Sequence, residues 1–311
     1  MSIETYSPVV MFVHTRLDHT SRTIESLSNC TYSEKTDLII YSDGARNLSE
    51  QIEVDKVRSF LYTLDGFRSV QVVERDYNFG LAKNIFKGVT EVLEQYPSTI
   101  VLEDDMELSR SFLQFMNLNL MRYQHDDSIW QVSGWSPDLS DEYNAENISV
   151  FKSQLMPCWG WATWADRWQQ RIEDPLTLIS EFSLRKKIEF NLGMSYPFYS
   201  HLVGNAIGRN STWAIFWYAS AFLKQGRSVC PTCSLVLNIG SDGSGSHAPI
   251  GIKQRKLIEH SITKYNAVEP SVNESINSRI MSIYSSGLSI KQRISMYIKV
   301  LLPNSIWSML S

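Results

Sequence analysis

Short apolar runs alternate with longer amphipathic stretches over the first 105 residues, and no other feature constrains the fold as strongly. Residues 9–13, 38–41, 70–73 and 99–102 read as strands. Between them, residues 21–28, 51–64 and 80–96 carry helical spacing, the last with Ile85, Val89 and Val92 on one face. Strands that alternate with helices imply an α/β domain with a mostly parallel, doubly wound sheet. In such a sheet the ligand crevice opens at the carboxyl ends of the strands. Each run here ends in a polar cluster: His14-Thr15-Arg16, Ser42-Asp43-Gly44, Glu74-Arg75 and Glu103-Asp104-Asp105. The fold therefore predicts that these clusters converge.

Beyond Ser109 the alternation weakens. Residues 109–123 and 211–225 read as helices, and 129–133 and 235–238 as strands. Nine tryptophans are present, and Trp130, Trp135, Trp159, Trp161, Trp164 and Trp168 fall within 39 residues. The glycine-rich run 240–247 reads as loop. We divide the chain into residues 1–250 (a nucleotide-binding half over about 8–108 and an acceptor half over about 109–250) and a C-terminal helical extension over 251–311. A net charge of −4 argues against a nucleic-acid partner. No run approaches a membrane span, no signal peptide is expected, and four cysteines suit a reducing compartment, so the cytoplasm is the expected location. Cys230-Pro231-Thr232-Cys233 has the spacing of half a zinc site but lacks its second half, so a strand-edge turn is expected there.

Glu103, Asp104 and Asp105 are consecutive carboxylates after an apolar strand. They repel one another unless a cation is near, and hard oxygen donors suit Mg²⁺ or Mn²⁺. The plainer reading is a solvated acidic turn capping the next helix. Asp43 can accept from a base or ribose, or simply close its turn before Gly44. Arg16 can reach a phosphate, or sit on the surface. Asn78 to Asn84 opens a helix on a glycine turn, where backbone N–H groups can meet an anion.

Taken together, residues 8–16, 42–44, 78–84 and 101–106 resemble nucleotide-sugar-dependent glycosyltransferases of the GT-A fold, a Rossmann-like sheet flanked by helices. The segments 128–135 and 160–168 resemble the N-acetylglucosaminyltransferase I lineage and bacterial polysaccharide (O-antigen or capsule) glycosyltransferases. The resemblance covers residues 8–249. It implies transfer of a sugar from a UDP- or GDP-sugar to a hydroxyl of a glycan or lipid-linked acceptor, with Mn²⁺ or Mg²⁺ as cofactor. It makes Asp105 the metal ligand, with His247 a second metal- or phosphate-binding residue, or else a surface loop histidine. Asp104 would then face the ribose and metal waters, and Glu103 the sugar. Thr15, Arg16, Asp43, Arg75 and Lys83 would hold the nucleotide. In the animal enzymes an Asp in a Trp-Asp-Asp-Trp-like segment is the catalytic base, but here residues 213–217 hold no carboxylate. Asp166, Asp138 and Asp242 remain as base candidates, and a retaining mechanism stays open.

Indole faces stack on pyranose rings, so Trp135, Trp159 or Trp161 could form an acceptor platform, while most tryptophans are expected in the core. Residues 290–310 interleave Lys291, Arg293 and Lys299 with apolar residues. That pattern suits an anchor at the inner face of the cytoplasmic membrane, and equally a helix packed on the domain or on a partner. Two other functions stay on the page: a noncatalytic glycan-binding protein on the same fold, and a sugar-1-phosphate nucleotidyltransferase. The second should show a glycine-rich basic loop after the first strand, which residues 14–18 lack.

Overall fold

A computed structural model of the protein describes residues 5–137, 139, 149–242 and 274–310. The strands are β1 (Val9–Val13), β2 (Asp37–Ser42), β3 (Ser69–Glu74), β4 (Ser98–Glu103), β5 (Met106–Leu108), β6 (Ile129–Ser133), β7 (Val150–Ser153), β8 (Trp161–Trp164), β9 (Arg227–Pro231) and β10 (Val236–Asn238). The α-helices are α1 (Leu17–Ser28), α2 (Leu48–Leu61), α3 (Leu81–Leu93), α4 (Phe112–Tyr123), α5 (Ala165–Trp168) and α6 (Pro175–Ser180). They continue with α7 (Leu184–Phe190), α8 (Phe198–Ala206), α9 (Ala214–Leu223), α10 (Glu274–Ser286), α11 (Ile290–Leu301) and α12 (Ser305–Leu310).

Eight strands form one mixed sheet in the order β3-β2-β1-β4-β8-β6-β9-β7, and β5 pairs with β10 in a small antiparallel ribbon. Strands β1, β2, β3 and β4 are mutually parallel, whereas β8 runs against both β4 and β6. Every residue of β1 is buried because both faces of the sheet are covered. The period of two persists inside that uniformly apolar run. Val9, Met11 and Val13 pack on one side with α1 and α4 residues such as Leu27 and Phe115, while Val10 and Phe12 join the other core with Ile85 and Val89 of α3.

Register decides where the loops emerge. Val13 lies opposite Ser42, Ser42 opposite Glu74, and Phe12 opposite Glu103, so four strands stop at one edge. The chain steps from β1 outward to β2 and β3, then returns to place β4 on β1's other side. That reversal makes the gap beyond β1 and β4 a topological switch point, where sheets of this kind bind ligands. The reversed strand β8 is equally consequential. Its first residue, Trp161, pairs with Val101 and Ser133 near the functional edge, and its last, Trp164, pairs with Ser98 at the far end.

The C-terminal helices pack onto the rest of the chain. Ile276, Ile280, Val300 and Trp307 join the larger core cluster. Lys187 Nζ donates to the carbonyls of Val300 (3.3 Å) and Leu302 (2.9 Å), and Asn304 donates to those of Ile179 and Phe182.

Candidate active site

Arg16, just beyond β1, reaches across the switch point to the turn that follows β4. Its Nε donates to Asp104 Oδ2 at 3.2 Å and its Nη2 to Asp105 Oδ2 at 2.9 Å and to Asp104 Oδ1. Burial alone would lower the Arg16 pKa, but Asp104 and Asp105 hold it above the usual value. One guanidinium set against three carboxylates leaves the group short of positive charge. Glu103 shows the consequence: burial first, then Asp105 and Asp104, push its carboxyl up to about 8, opposed by Arg16 and a hydrogen bond from Trp213. Asp104, 6% exposed, is also raised, chiefly by burial. The turn is held from behind by Thr23 of α1, whose Oγ1 donates to the Asp104 carbonyl (2.7 Å) and accepts from the Met106 amide (3.0 Å).

The β5–β10 ribbon supplies the other wall. Pairing of Asn238 with Met106 brings the Asn238 amide to 3.3 Å from Asp105 Oδ1, and the Ile239 N–H donates to the Asp105 carbonyl at 2.8 Å. Gly240 passes so close that a Cβ there would lie 2.2 Å from Asp105 Oδ2 and 3.3 Å from Arg16 Nη1. Arg16 Nη1 itself is buried and has no hydrogen-bond partner among the described residues, a donor left over in the crevice.

Asp43, at the end of β2, has a different environment. Its carboxylate accepts from the N–H groups of Gly44 (3.0 Å), Phe79 (2.8 Å) and Gly80 (3.0 Å) and from Asn78 Nδ2 (3.2 Å). Its oxygens are engaged by the 78–80 turn and by the Gly44 N–H, so what it does directly is hold that turn in place. Gly44 is required there because any Cβ would sit 2.4 Å from the Tyr77 carbonyl carbon. Arg75 is likewise committed. It is 8% exposed, bonds Asn84 and Glu91, and stacks against Tyr41 and Phe79. Lys83 is exposed, with its ammonium 4.8 Å from the Phe79 ring, and Thr15 is half-buried beside Arg16.

The tryptophans divide. Trp161 is 1% exposed and stacks on Trp213 at 5.4 Å, within a cluster that includes Trp168, Trp217 and Trp130, so it is a core residue and no acceptor platform. Trp135 and Trp159 meet edge to face at 5.0 Å and line a cavity of about 260 Å³. Cys158, Tyr218 and Tyr284 of α10 share that lining. The cavity adjoins the carboxylates, for the Cys158 thiol is raised by burial and then by the charges of Glu103 and Asp105. Trp135 follows β6 and Trp159 precedes β8, which is why both lie at the functional edge.

The same antiparallel strand removes a base candidate. Asp166 follows β8 at the far edge, where the Ala165 N–H donates to the Pro97 carbonyl, and its carboxylate pairs with Arg167. Five residue steps along β4 separate Ser98 from Glu103, roughly 16 Å. Asp242 lies on the near side, 3.2 Å from His19 Nε2. Asp138 and His247 lie outside the described residues.

Residues 4–175 match the GNT-I family, more than half of the chain. The chain belongs to this family. Among curated relatives, it is 24% identical over 221 residues to the alpha-1,3-mannosyl-glycoprotein 2-beta-N-acetylglucosaminyltransferase of Arabidopsis thaliana, covering 65% of this chain. It spans about half, 48%, of that relative's length. Among solved structures it is similar to the mannosyltransferase PcManGT from Pyrobaculum calidifontis in complex with GDP-Man and Mn²⁺, with 13% identity, 70% of each chain covered and a TM-score of 0.36.

The GNT-I match contains β1 through β8, and with them Arg16, Asp43, the three carboxylates and both cavity tryptophans. Trp213, Asn238, Gly240 and Tyr284 lie outside the matched stretch, and sequence reasoning did not assign them. Trp213 reads as one aromatic among several in an apolar helix. Asn238-Ile239-Gly240 carries a turn signal after an apolar run, and that signal alone could have placed it.

Proposed function

We propose that this GNT-I family chain transfers a glycosyl group from a UDP- or GDP-sugar to a hydroxyl of a glycan acceptor. The observation that carries the reading is the meeting of Arg16 from β1 with Asp104 and Asp105 from β4 at the switch point of the sheet. The residues fit a divalent cation: the donors are hard oxygens, they carry excess negative charge, and Mg²⁺-like ions use one or two carboxylates completed by water and phosphate oxygens. Asp105, with Asp104 beside it, would hold Mn²⁺ or Mg²⁺. When bound, the ion would offset charge developing on the departing diphosphate. Arg16 would orient the carboxylates and present its spare Nη1 to a phosphate oxygen. The 78–80 turn, fixed by Asp43, would support the nucleotide.

An inverting transfer needs a base within hydrogen-bond reach of the acceptor hydroxyl. Glu103 and Asp242 are the described candidates on the right edge. A base must be ionised, and a cation held by Asp105 would offset the neighbouring charges that raise the Glu103 carboxyl. The cavity beside Trp135 and Trp159 would receive the acceptor, its aromatic walls suiting sugar faces and apolar groups alike. A bacterial surface polysaccharide, O-antigen or capsule, built on a lipid carrier fits such walls, and would place the enzyme at the cytoplasmic face of a membrane.

Calorimetric titration with UDP and GDP tests the reading. Binding of one of them that requires Mn²⁺ or Mg²⁺ and disappears in Asp105→Ala is expected. Binding of neither, with or without the cation, would sink it; cation-independent binding would sink the metal role alone.

A further inference from the structure

Helix α11 has two apolar faces. Its inner one, Met296 and Val300, is buried against α7 and α8. On the other side Ile290, Ile294, Tyr297, Ile298 and Leu301 repeat at i, i+4, i+7, i+8 and i+11, one stripe of the helix. Each of the five is between 53% and 79% exposed. Met309 and Leu310 of α12 add two more exposed apolar side chains. Contiguous apolar surface of this kind is unusual on a soluble monomer unless something covers it.

The charge pattern says what covers it. At 100° per residue, Lys291 and Arg293 lie roughly 80° to either side of the stripe's centre, so exposed cations flank it. From 275 to 311 the sequence holds Arg279, Lys291, Arg293 and Lys299 and no acidic residue, although the whole chain is net negative. A second copy of the chain is a poor occupant, because a two-fold pair would set these cations against one another. A flat acidic surface with an apolar interior satisfies both the stripe and its margins.

We infer that the outer face of α11 docks on an anionic lipid bilayer, with Ile290, Ile294, Tyr297, Ile298 and Leu301 entering the headgroup–acyl boundary and Lys291 and Arg293 meeting lipid phosphates. The buried face fixes the helix to the catalytic body, so docking orients the whole molecule. The inference deepens the lipid-linked acceptor proposed above but stands on separate observations.

Co-sedimentation of the full chain with vesicles tests it. Phosphatidylglycerol–phosphatidylcholine vesicles should bind the protein, and pure phosphatidylcholine vesicles should bind it at least about tenfold more weakly. The double variant Ile294→Glu, Leu301→Glu should lose at least about tenfold in vesicle affinity while keeping its thermal unfolding midpoint and its nucleotide binding in solution. Unchanged binding by that variant, or a protein that stays in the supernatant with both vesicle types, would overturn the inference. So would analytical ultracentrifugation showing a dimer that the double variant splits into monomers. Nucleotide titration in the same samples separates failure of docking from failure of the transferase reading.

Discussion

Asp43 and the carboxylates of Glu103, Asp104 and Asp105 lie at the same edge of one sheet, at the ends of β2 and β4; Asp43 and Asp104 are buried, Glu103 and Asp105 half-buried. They differ in what surrounds them. Asp43 accepts from three backbone N–H groups and one side-chain amide, so its charge is dispersed within the protein. The carboxylates of 103–105 crowd one another and share Arg16. A satisfied buried charge is framework, and an undersupplied one is a place for a ligand that brings the missing charge. The contrast predicts opposite trades between stability and activity.

The largest effect should come from Asp105→Asn. Glycosyl transfer, followed by donor turnover, should fall about a thousandfold, on the scale of losing a principal electrostatic contact to the leaving group. Its thermal midpoint should stay level or rise, because one like charge has left the triplet. A lower midpoint would break the contrast. Asp43→Ala should do the reverse, costing about 2 kcal/mol as one buried and two half-buried N–H groups lose their acceptor. Chemical denaturation measures this, and a loss well under 1 kcal/mol would show that the 78–80 turn holds without its anchor.

A smaller, pH-linked effect sharpens the comparison. The Glu103 pKa is raised in the folded state from an ordinary 4.5, so folding favours its protonated form. In chelator, that contribution is fully present below the unfolded pKa and is lost as pH rises through the folded value. Thermal melts from pH 5 to 8 should therefore show a decline that Glu103→Gln removes. A decline identical in the variant would mean that other groups cause it. The least drastic change is Trp159→Ala, which should leave the fold intact and raise KM for the acceptor. Trp161→Ala should instead cost about 4 kcal/mol as a core cavity opens. If both variants behaved alike, the division between wall and core tryptophans would fail.

The converging edge was legible because β1, β2 and β4 are uninterrupted apolar runs, each ending abruptly in polar residues. That signal is local. What distinguishes Asp43 from Asp104 is not local, since three of the four donors to Asp43 come from a turn some 35 residues away. Strand β8 escaped for a similar reason. Trp161-Ala162-Thr163-Trp164 shows an aromatic cluster but no direction, and only pairing with Ser98 to Val101 reveals that it runs backwards. That reversal carries Asp166 to the far edge and sets Trp159 at the near one. The outer stripe of α11 was half visible: its amphipathic character could be read, but which face is buried depends on α7 and α8.

Lys187 gives the C-terminal helices a genetic consequence. Its side chain is buried, and its ammonium donates to the carbonyls of Val300 and Leu302 at the end of α11. A premature stop codon shortly before position 300 would remove Val300 and Trp307 from the core together with the acceptors of that cation, at a cost of several kcal/mol. Such an allele would encode every residue of the Arg16–Asp105 site and still yield no lasting protein. Late nonsense mutations in this gene should therefore behave as nulls, detectable as missing polypeptide on a blot and not as an inactive enzyme at normal abundance.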